Sequence, residues 1–253
     1  MNNNTIVING VNGYLGKEIL ERVIKDFKVI GLSRNAGNLI NEISEKYRFN
    51  YFPLNIDYKY NDVDEVCEKI KKKSQENNLL IKGLVNNGFT GYPEYSYSID
   101  KNSVHNAAEG LFGYHIRLAT KLSDQMKTSG SIVNISSMYG KVAPKPDNYT
   151  ETNNLNPILY GTMKAALIQA SKYLSSQLGI KGIRVNSVSY GPFPSKENQK
   201  KDPQFIEKLS TNTHLRRVGK SEEAGGIVNF LLSNEASFIT GADISVDGGW
   251  TAW

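Results

Sequence analysis

The stretch that most constrains this chain is its opening. A β-branched run, Thr5-Ile6-Val7-Ile8, breaks at Asn9-Gly10-Val11-Asn12-Gly13-Tyr14-Leu15-Gly16, and helical periodicity through Ile19, Leu20, Val23 and Ile24 then carries residues 17–25. Glycines in such a turn let the backbone come close to a pyrophosphate, whose charge then sits against the unpaired N–H groups at the helix N-terminus. A plain tight turn is the alternative. Because the turn follows a strand at the chain's start and opens a helix, dinucleotide binding is favoured, with Gly10, Asn12, Gly13, Tyr14, Leu15 and Gly16 as candidate contacts.

The rest of the chain repeats the pattern. Strands are expected at 28–32, 51–57, 81–85, 131–135 and 183–188, with a last one running into a turn over 243–249. Helices are expected at 63–73, 103–126 and 160–178, with another opening on Ser221 as its N-cap. Gly179 is the expected C-cap of the 160–178 helix, and the 103–126 helix is expected to be irregular around Gly110 and Gly113. This alternation indicates an α/β fold. It is a Rossmann-type, doubly wound parallel sheet in three α/β/α layers, with ligands beyond the carboxyl ends of the strands. The turn Asn86-Asn87-Gly88 stands at such an end, which makes Asn87 and Gly88 candidate contacts; the following residues 89–99 lack strand alternation, which disfavours a hairpin.

No repeat, linker or second domain divides residues 1–253, so a single dinucleotide-binding domain is expected. Two stretches stand out within it. Residues 138–159, polar and rich in Pro and Asn, form an inserted candidate binding loop, and the highly charged 194–217 is either a lid over the site or a solvated helix pair.

The second strand ends in Ser33-Arg34-Asn35, where an acidic residue would hold a ribose 2′-hydroxyl. No carboxylate stands there. Arg34 can instead fork onto a 2′-phosphate with Ser33 bonding beside it, so NADP(H) is favoured over NAD(H); the alternative is a solvent-exposed loop arginine.

Charge and cysteine usage exclude several function classes. The formal charge is +5, but the lysines are spread over many segments with acidic residues between them, so no nucleic-acid partner is expected. The densest run, Lys69-Ile70-Lys71-Lys72-Lys73, ends a helix, where cations complement the macrodipole; a basic balance also suits an anionic cofactor or substrate. The chain opens without a signal pattern, and no apolar run reaches the ~18 residues a bilayer span needs, so a soluble, cytoplasmic protein with no membrane partner is expected. Cys67 is the single cysteine, which excludes an intrachain disulfide, and it reads as a packed helix residue. His105, His115 and His214 are scattered, so no metal site is expected.

Tyr160 and Lys164, four residues apart on a helix, share one face, and an ammonium near a phenol draws its pKa of ~10 toward working pH. Tyr97 and Lys101 have the same spacing, so context decides between the pairs. Only the former is preceded by a strand ending in hydroxyls, Ser136 and Ser137, placed to hydrogen-bond a substrate carbonyl and the alkoxide it becomes. In the inserted loop, Lys141 and Lys145 either meet an anionic substrate or are solvated.

Taken in order, these residues resemble the short-chain dehydrogenase/reductase family, in its single-domain branch, over nearly the whole chain. The landmarks are Gly10, Gly13 and Gly16, the Asn86-Asn87-Gly88 turn, Asn134-Ile135-Ser136-Ser137, Tyr160 with Lys164, Arg184-Val185-Asn186 and Asp247-Gly248-Gly249. The resemblance implies Tyr160 as the catalytic acid/base, Lys164 as the residue that lowers its pKa and binds the nicotinamide ribose, and Ser137 as the group that polarises the carbonyl. It further implies cofactor contacts from Asn55 and Ile56 at the adenine, from Gly191 and Phe193 after the sixth strand, and from Ser195 in place of a threonine near the carboxamide. The chain also departs from the pattern. Asn86-Asn87-Gly88 lacks the alanine usual before the glycine, Tyr190 replaces the proline usual before Gly191, and Ala108-Glu109-Gly110-Leu111 stands where the family's helix supplies a relay asparagine, with Asn106 nearby.

Tyr160 follows Ser137 by 23 positions, a longer interval than in the family's short members. With the ending Val246-Asp247-Gly248-Gly249-Trp250-Thr251-Ala252-Trp253, this resembles a bacterial subgroup associated with flagellin modification and surface-sugar biosynthesis. The implied function is an NAD(P)-dependent oxidoreductase that moves a hydride between nicotinamide and a carbonyl or secondary alcohol of a sugar or sugar phosphate, as a homotetramer or homodimer. Two alternatives stay open: a nucleotide-sugar epimerase or dehydratase with tightly held NAD(P), and a non-catalytic nucleotide-binding protein.

Overall fold

The computed structural model describes residues 3–58, 61–89, 99–126, 129–149 and 155–253. Strands β1 (Asn4–Asn9), β2 (Lys28–Ser33), β3 (Tyr51–Asn55), β4 (Leu80–Asn86), β5 (Ser131–Ser137), β6 (Arg184–Tyr190) and β7 (Asp243–Val246) form one parallel sheet. Its order is β3-β2-β1-β4-β5-β6-β7. The helices are α1 (Tyr14–Val23), α2 (Val63–Glu76), α3 (Lys101–Ala108), α4 (Tyr114–Ser123), α5 (Ile158–Gly179), α6 (Lys196–Lys201), α7 (Pro203–Thr211) and α8 (Ala224–Leu232).

Side chains alternate across a strand, so a run that is apolar throughout covers both faces of its sheet. Ile6 and Ile8 enter one core with Ile19, Leu20 and Val23 of α1 and Val228 and Leu231 of α8. Val7 enters the other with Val66 and Ile70 of α2, Leu118 and Leu122 of α4, and Leu174 and Leu178 of α5. The strand order reverses between β1 and β4, whose last residues pair Asn9 with Asn86, and this leaves a crevice at their carboxyl ends.

All seven expected strands are present, and the helix boundaries show what local signals miss. Helix α1 starts at Tyr14 rather than near residue 17, because Gly13 is extended (φ −69°, ψ 163°) and the turn feeds straight into the helix. The expected 103–126 helix begins at Lys101, where the Asp100 carboxylate accepts the Ser103 N–H at 2.7 Å. It is interrupted by a π-helical turn, Glu109–Gly113, at the two glycines. Gly179 is not a C-cap: it ends α5 within the helix, and Gly182 takes the left-handed conformation three residues on (φ +71°). Nor is Ser221 an N-cap. It opens a 3-10 turn, Ser221–Glu223, and its hydroxyl donates to Glu18 at 2.9 Å, a partner 203 residues away. Residues 196–211 form the helix pair α6 and α7, with Asp202 capping α7 by accepting the Phe205 N–H at 2.9 Å. Tyr97, most of the 89–99 segment and residues 150–154 of the inserted loop lie outside the described residues.

Among the described residues no helix is long and apolar enough to cross a membrane, and no group of three or more His, Cys, Asp or Glu is placed to hold a metal. Cys67 is buried in α2, which pushes its thiol up to about 11.

Candidate active site

A cleft of about 1260 Å³ opens at the carboxyl ends of the central strands. Its walls come from the turn after β1 (Gly10, Asn12, Gly13, Tyr14, Leu15), the end of β2 (Ser33, Arg34) and the turn after β4 (Asn87, Gly88). The opposite walls come from the end of β5 (Ser137), α5 (Tyr160, Lys164) and the segment after β6 (Gly191, Phe193). Gly16 lies behind the turn, where a Cβ would stand 2.1 Å from the Gly10 carbonyl oxygen, so only glycine lets α1 sit this close.

Besides Gly16, three further expected contacts do not line the cleft. The Asn55 side chain accepts the Gly37 N–H at 3.3 Å, Ile56 is buried, and Ser195 caps α6 by accepting the Asn198 N–H at 3.2 Å. The walls instead gain Asp57, Tyr58, Phe89, His105, Asn106, Glu109 and Tyr190. Asp57 and Tyr58 follow β3, and the strand-end rule that singled out residues 33–35 would also have found them. His105 and Glu109 carry no such signal, because helix packing and not a motif brings them to the cleft.

The three candidate catalytic residues, Ser137, Tyr160 and Lys164, are brought together by the docking of α5 on β5. The Ser136 hydroxyl donates to the Lys164 carbonyl at 2.9 Å, and Asn134 Nδ2 donates to Ser171 Oγ at 2.9 Å. Tyr160, in the first turn of α5, is thereby held against Ser137, and their hydroxyls are hydrogen-bonded. Lys164 is buried, with Nζ donating to the Ile135 carbonyl at 2.7 Å and lying 5.8 Å from the Tyr160 ring centroid. Desolvation lowers its pKa to about 8. Burial raises the Tyr160 phenol above its ordinary value, and the Ser137 hydrogen bond opposes that rise. The resting phenol is therefore not drawn down by Lys164 as the sequence reading expects, because the ammonium is turned onto a backbone carbonyl.

Lys141 and Lys145 do not line the cleft. Lys141 pairs with Asp243 at 3.1 Å and donates to Ser245 at 2.7 Å. Lys145 donates to Asn212 at 2.8 Å and lies over the Trp250 and Trp253 rings.

The residues present fit a dinucleotide. The glycine turn presents the start of α1 to the cleft, and Ser33 has a buried hydroxyl with no hydrogen-bond partner among the described residues, beside Arg34 in the same wall. A bound nicotinamide would supply or take up the hydride there.

A family model described as enoyl-(acyl carrier protein) reductase matches residues 25–251. The 3-oxoacyl-[acyl-carrier-protein] reductase FabG of Buchnera aphidicola subsp. Schizaphis graminum is 30% identical, over 97% of this chain and 96% of its own. The post-translational flagellin modification protein A of Campylobacter coli is 26% identical over 99% of each chain. Among solved structures, a short-chain dehydrogenase/reductase from Serratia marcescens shares the fold over 98% of each chain, with a TM-score of 0.83 at 20% identity. The full-length matches in sequence agree with the parallel sheet and its cleft: the chain belongs to the short-chain dehydrogenase/reductase family of NAD(P)-dependent oxidoreductases.

Proposed function

We propose that this chain moves a hydride between NADP(H) and a carbonyl or secondary alcohol of a sugar or sugar phosphate, in surface-glycan synthesis of the flagellin-modification type. The meeting of Ser137, Tyr160 and Lys164 in the wall of one cleft, opposite the glycine turn, carries this reading. A carbonyl oxygen entering between the Ser137 and Tyr160 hydroxyls would replace their mutual hydrogen bond and accept from both, which stabilises the charge that develops on it. Tyr160 is the group that gives or takes the proton, and Lys164 is the cation beneath it. Ser33 and Arg34 support a 2′-phosphate, since no carboxylate stands at the end of β2. The polar wall of His105, Asn106 and Glu109 suits a hydroxyl-rich substrate better than an acyl chain. The full-length match to a flagellin modification protein points the same way.

The test is turnover of NADPH and NADH with a panel of keto-sugars, nucleotide sugars and 3-oxoacyl thioesters. The expected result is NADPH-dependent turnover of a keto-sugar, lowered by about 10²–10⁴-fold in Tyr160→Phe with NADPH affinity kept within about twofold. Arg34→Ala should weaken NADPH by about tenfold while leaving NADH nearly unchanged. Preferred turnover of an acyl thioester would replace the sugar reading, and full turnover in Tyr160→Phe would remove the assignment of the proton donor.

A further inference from the structure

The backbone turn at Gly10 and the one at Gly88 stand back to back on the floor of the cleft. Gly10 is left-handed (φ +76°), and a Cβ there would lie 2.3 Å from Gly88 Cα, so the two turns pack backbone to backbone with no room for a side chain between them. Two side chains that neither motif nor spacing singles out hold this pair from opposite sides. On one side the Tyr58 hydroxyl accepts the Gly10 N–H at 3.1 Å and donates to the Leu32 carbonyl at 3.1 Å. On the other, His115 Nε2 is bonded to the Gly88 carbonyl. A carbonyl only accepts, so this nitrogen carries the proton, and burial keeps the ring neutral, with its pKa lowered to about 4.

The two holds are joined to each other. The Tyr58 ring meets the Tyr114 ring edge-on, with centroids 5.1 Å apart, and Tyr114 precedes His115 in α4. Asn86, next to the Asn87-Gly88 turn, donates to the His115 carbonyl at 3.1 Å. The Gly10 N–H already has an acceptor in the Leu32 carbonyl at 2.9 Å, so the Tyr58 hydroxyl is not needed to satisfy it. What the hydroxyl adds is a second direction of restraint on a turn whose aim decides where a pyrophosphate sits.

We propose that Tyr58 and His115 are positioning residues for dinucleotide binding, clamping the Gly10 and Gly88 turns between the end of β3 and helix α4, a role that rests on the dinucleotide reading of the cleft. Tyr58 lines the cleft, whereas His115 does not and acts only through Gly88. Tyr58→Phe therefore removes the clamp and keeps the ring, and His115→Gln keeps an N–H donor where His115→Leu does not.

The experiment is fluorescence titration of the full chain with NADPH, with adenosine and 2′-AMP as competing fragments that lack the pyrophosphate. Tyr58→Phe and His115→Leu are expected to raise the NADPH Kd about fivefold or more, the size of one lost hydrogen bond. Both fragments should stay within about twofold of wild type, and His115→Gln should recover most of the NADPH affinity. General loosening of the fold would weaken fragments and NADPH alike. Wild-type NADPH affinity in Tyr58→Phe, or equal weakening of all ligands, overturns the proposal. Should His115→Leu not fold, Tyr58→Phe decides alone. A wild-type chain that binds neither NADPH nor NADH overturns the dinucleotide reading itself, and the clamp with it.

Discussion

At the scale of single residues, burial sets the chemistry of Lys164. Its ammonium is desolvated and bonded to the Ile135 carbonyl, and its pKa falls to about 8, against ~10.4 for an unfolded lysine. Between those two values the unfolded chain binds a proton that the folded chain has released, so stability rises with pH across this window. Below about pH 8 the folded state bears the full cost of the buried cation, on the order of 3 kcal/mol. Lys164→Met lacks this cost. Urea unfolding should show the wild type gaining on Lys164→Met by roughly that amount between pH 7.5 and pH 10.5, and a difference that stays flat would place the ammonium in solvent. Tyr160, Lys164 and Ser137 were legible in the sequence because reactive residue types stood at a helical offset behind a strand end. His115 was not, because a lone histidine has no pattern to set it apart until its partner, the Gly88 carbonyl, is known.

At the scale of elements, the contact that makes the site is α5 against the turn after β5. Two glycines allow it. A Cβ on Gly161 would lie 2.8 Å from the Tyr139 carbonyl oxygen, and one on Gly140 would lie 2.9 Å from the Lys164 carbonyl carbon. Both neighbours are backbone, which cannot swing aside as a side chain would. Gly161→Ala should therefore push the first turn of α5 away from Ser137, costing about 1–3 kcal/mol in denaturant unfolding and lowering turnover while NADPH affinity holds. Unaltered turnover in that variant would show that the docking of α5 is not what sets the Ser137 to Tyr160 geometry. The inserted loop is also explained by its contacts. Met138 joins Leu209 and Trp250 in a small third core, and Asn212, at the end of α7, donates to Asn148 at 2.7 Å and accepts from Lys145. A polar, proline-rich stretch gave no hint of these partners, which lie more than sixty residues away.

At the scale of the whole molecule, a homodimer or homotetramer is the proposal to test. The outer face of α5 and the residue after it leave Tyr173 and Ile180 largely exposed, apolar surface that a second copy would cover. Sedimentation equilibrium is expected to give two or four times the mass of one chain, and a monomer at all concentrations would refute a homodimer or homotetramer. By itself the sequence determined the order of strands and helices, the parallel sheet they build, and the reactive side chains at the strand ends and on α5. Those signals are local: β-branched runs, 3.6-residue periodicity and glycine turns are each written within a few neighbouring residues. Only the tertiary structure decided which side chains face the cleft. It kept Lys141 and Lys145 out of the cleft wall and gave them Asp243 and Asn212, turned Asn55 and Ser195 to backbone partners, and set Tyr58 against the Gly10 turn and His115 against the Gly88 turn. A hydrogen-bond partner is chosen by the packing of segments far apart in the chain, and the opening turn that constrains the fold so strongly is itself held in place by residues 48 and 27 positions from the groups they bond.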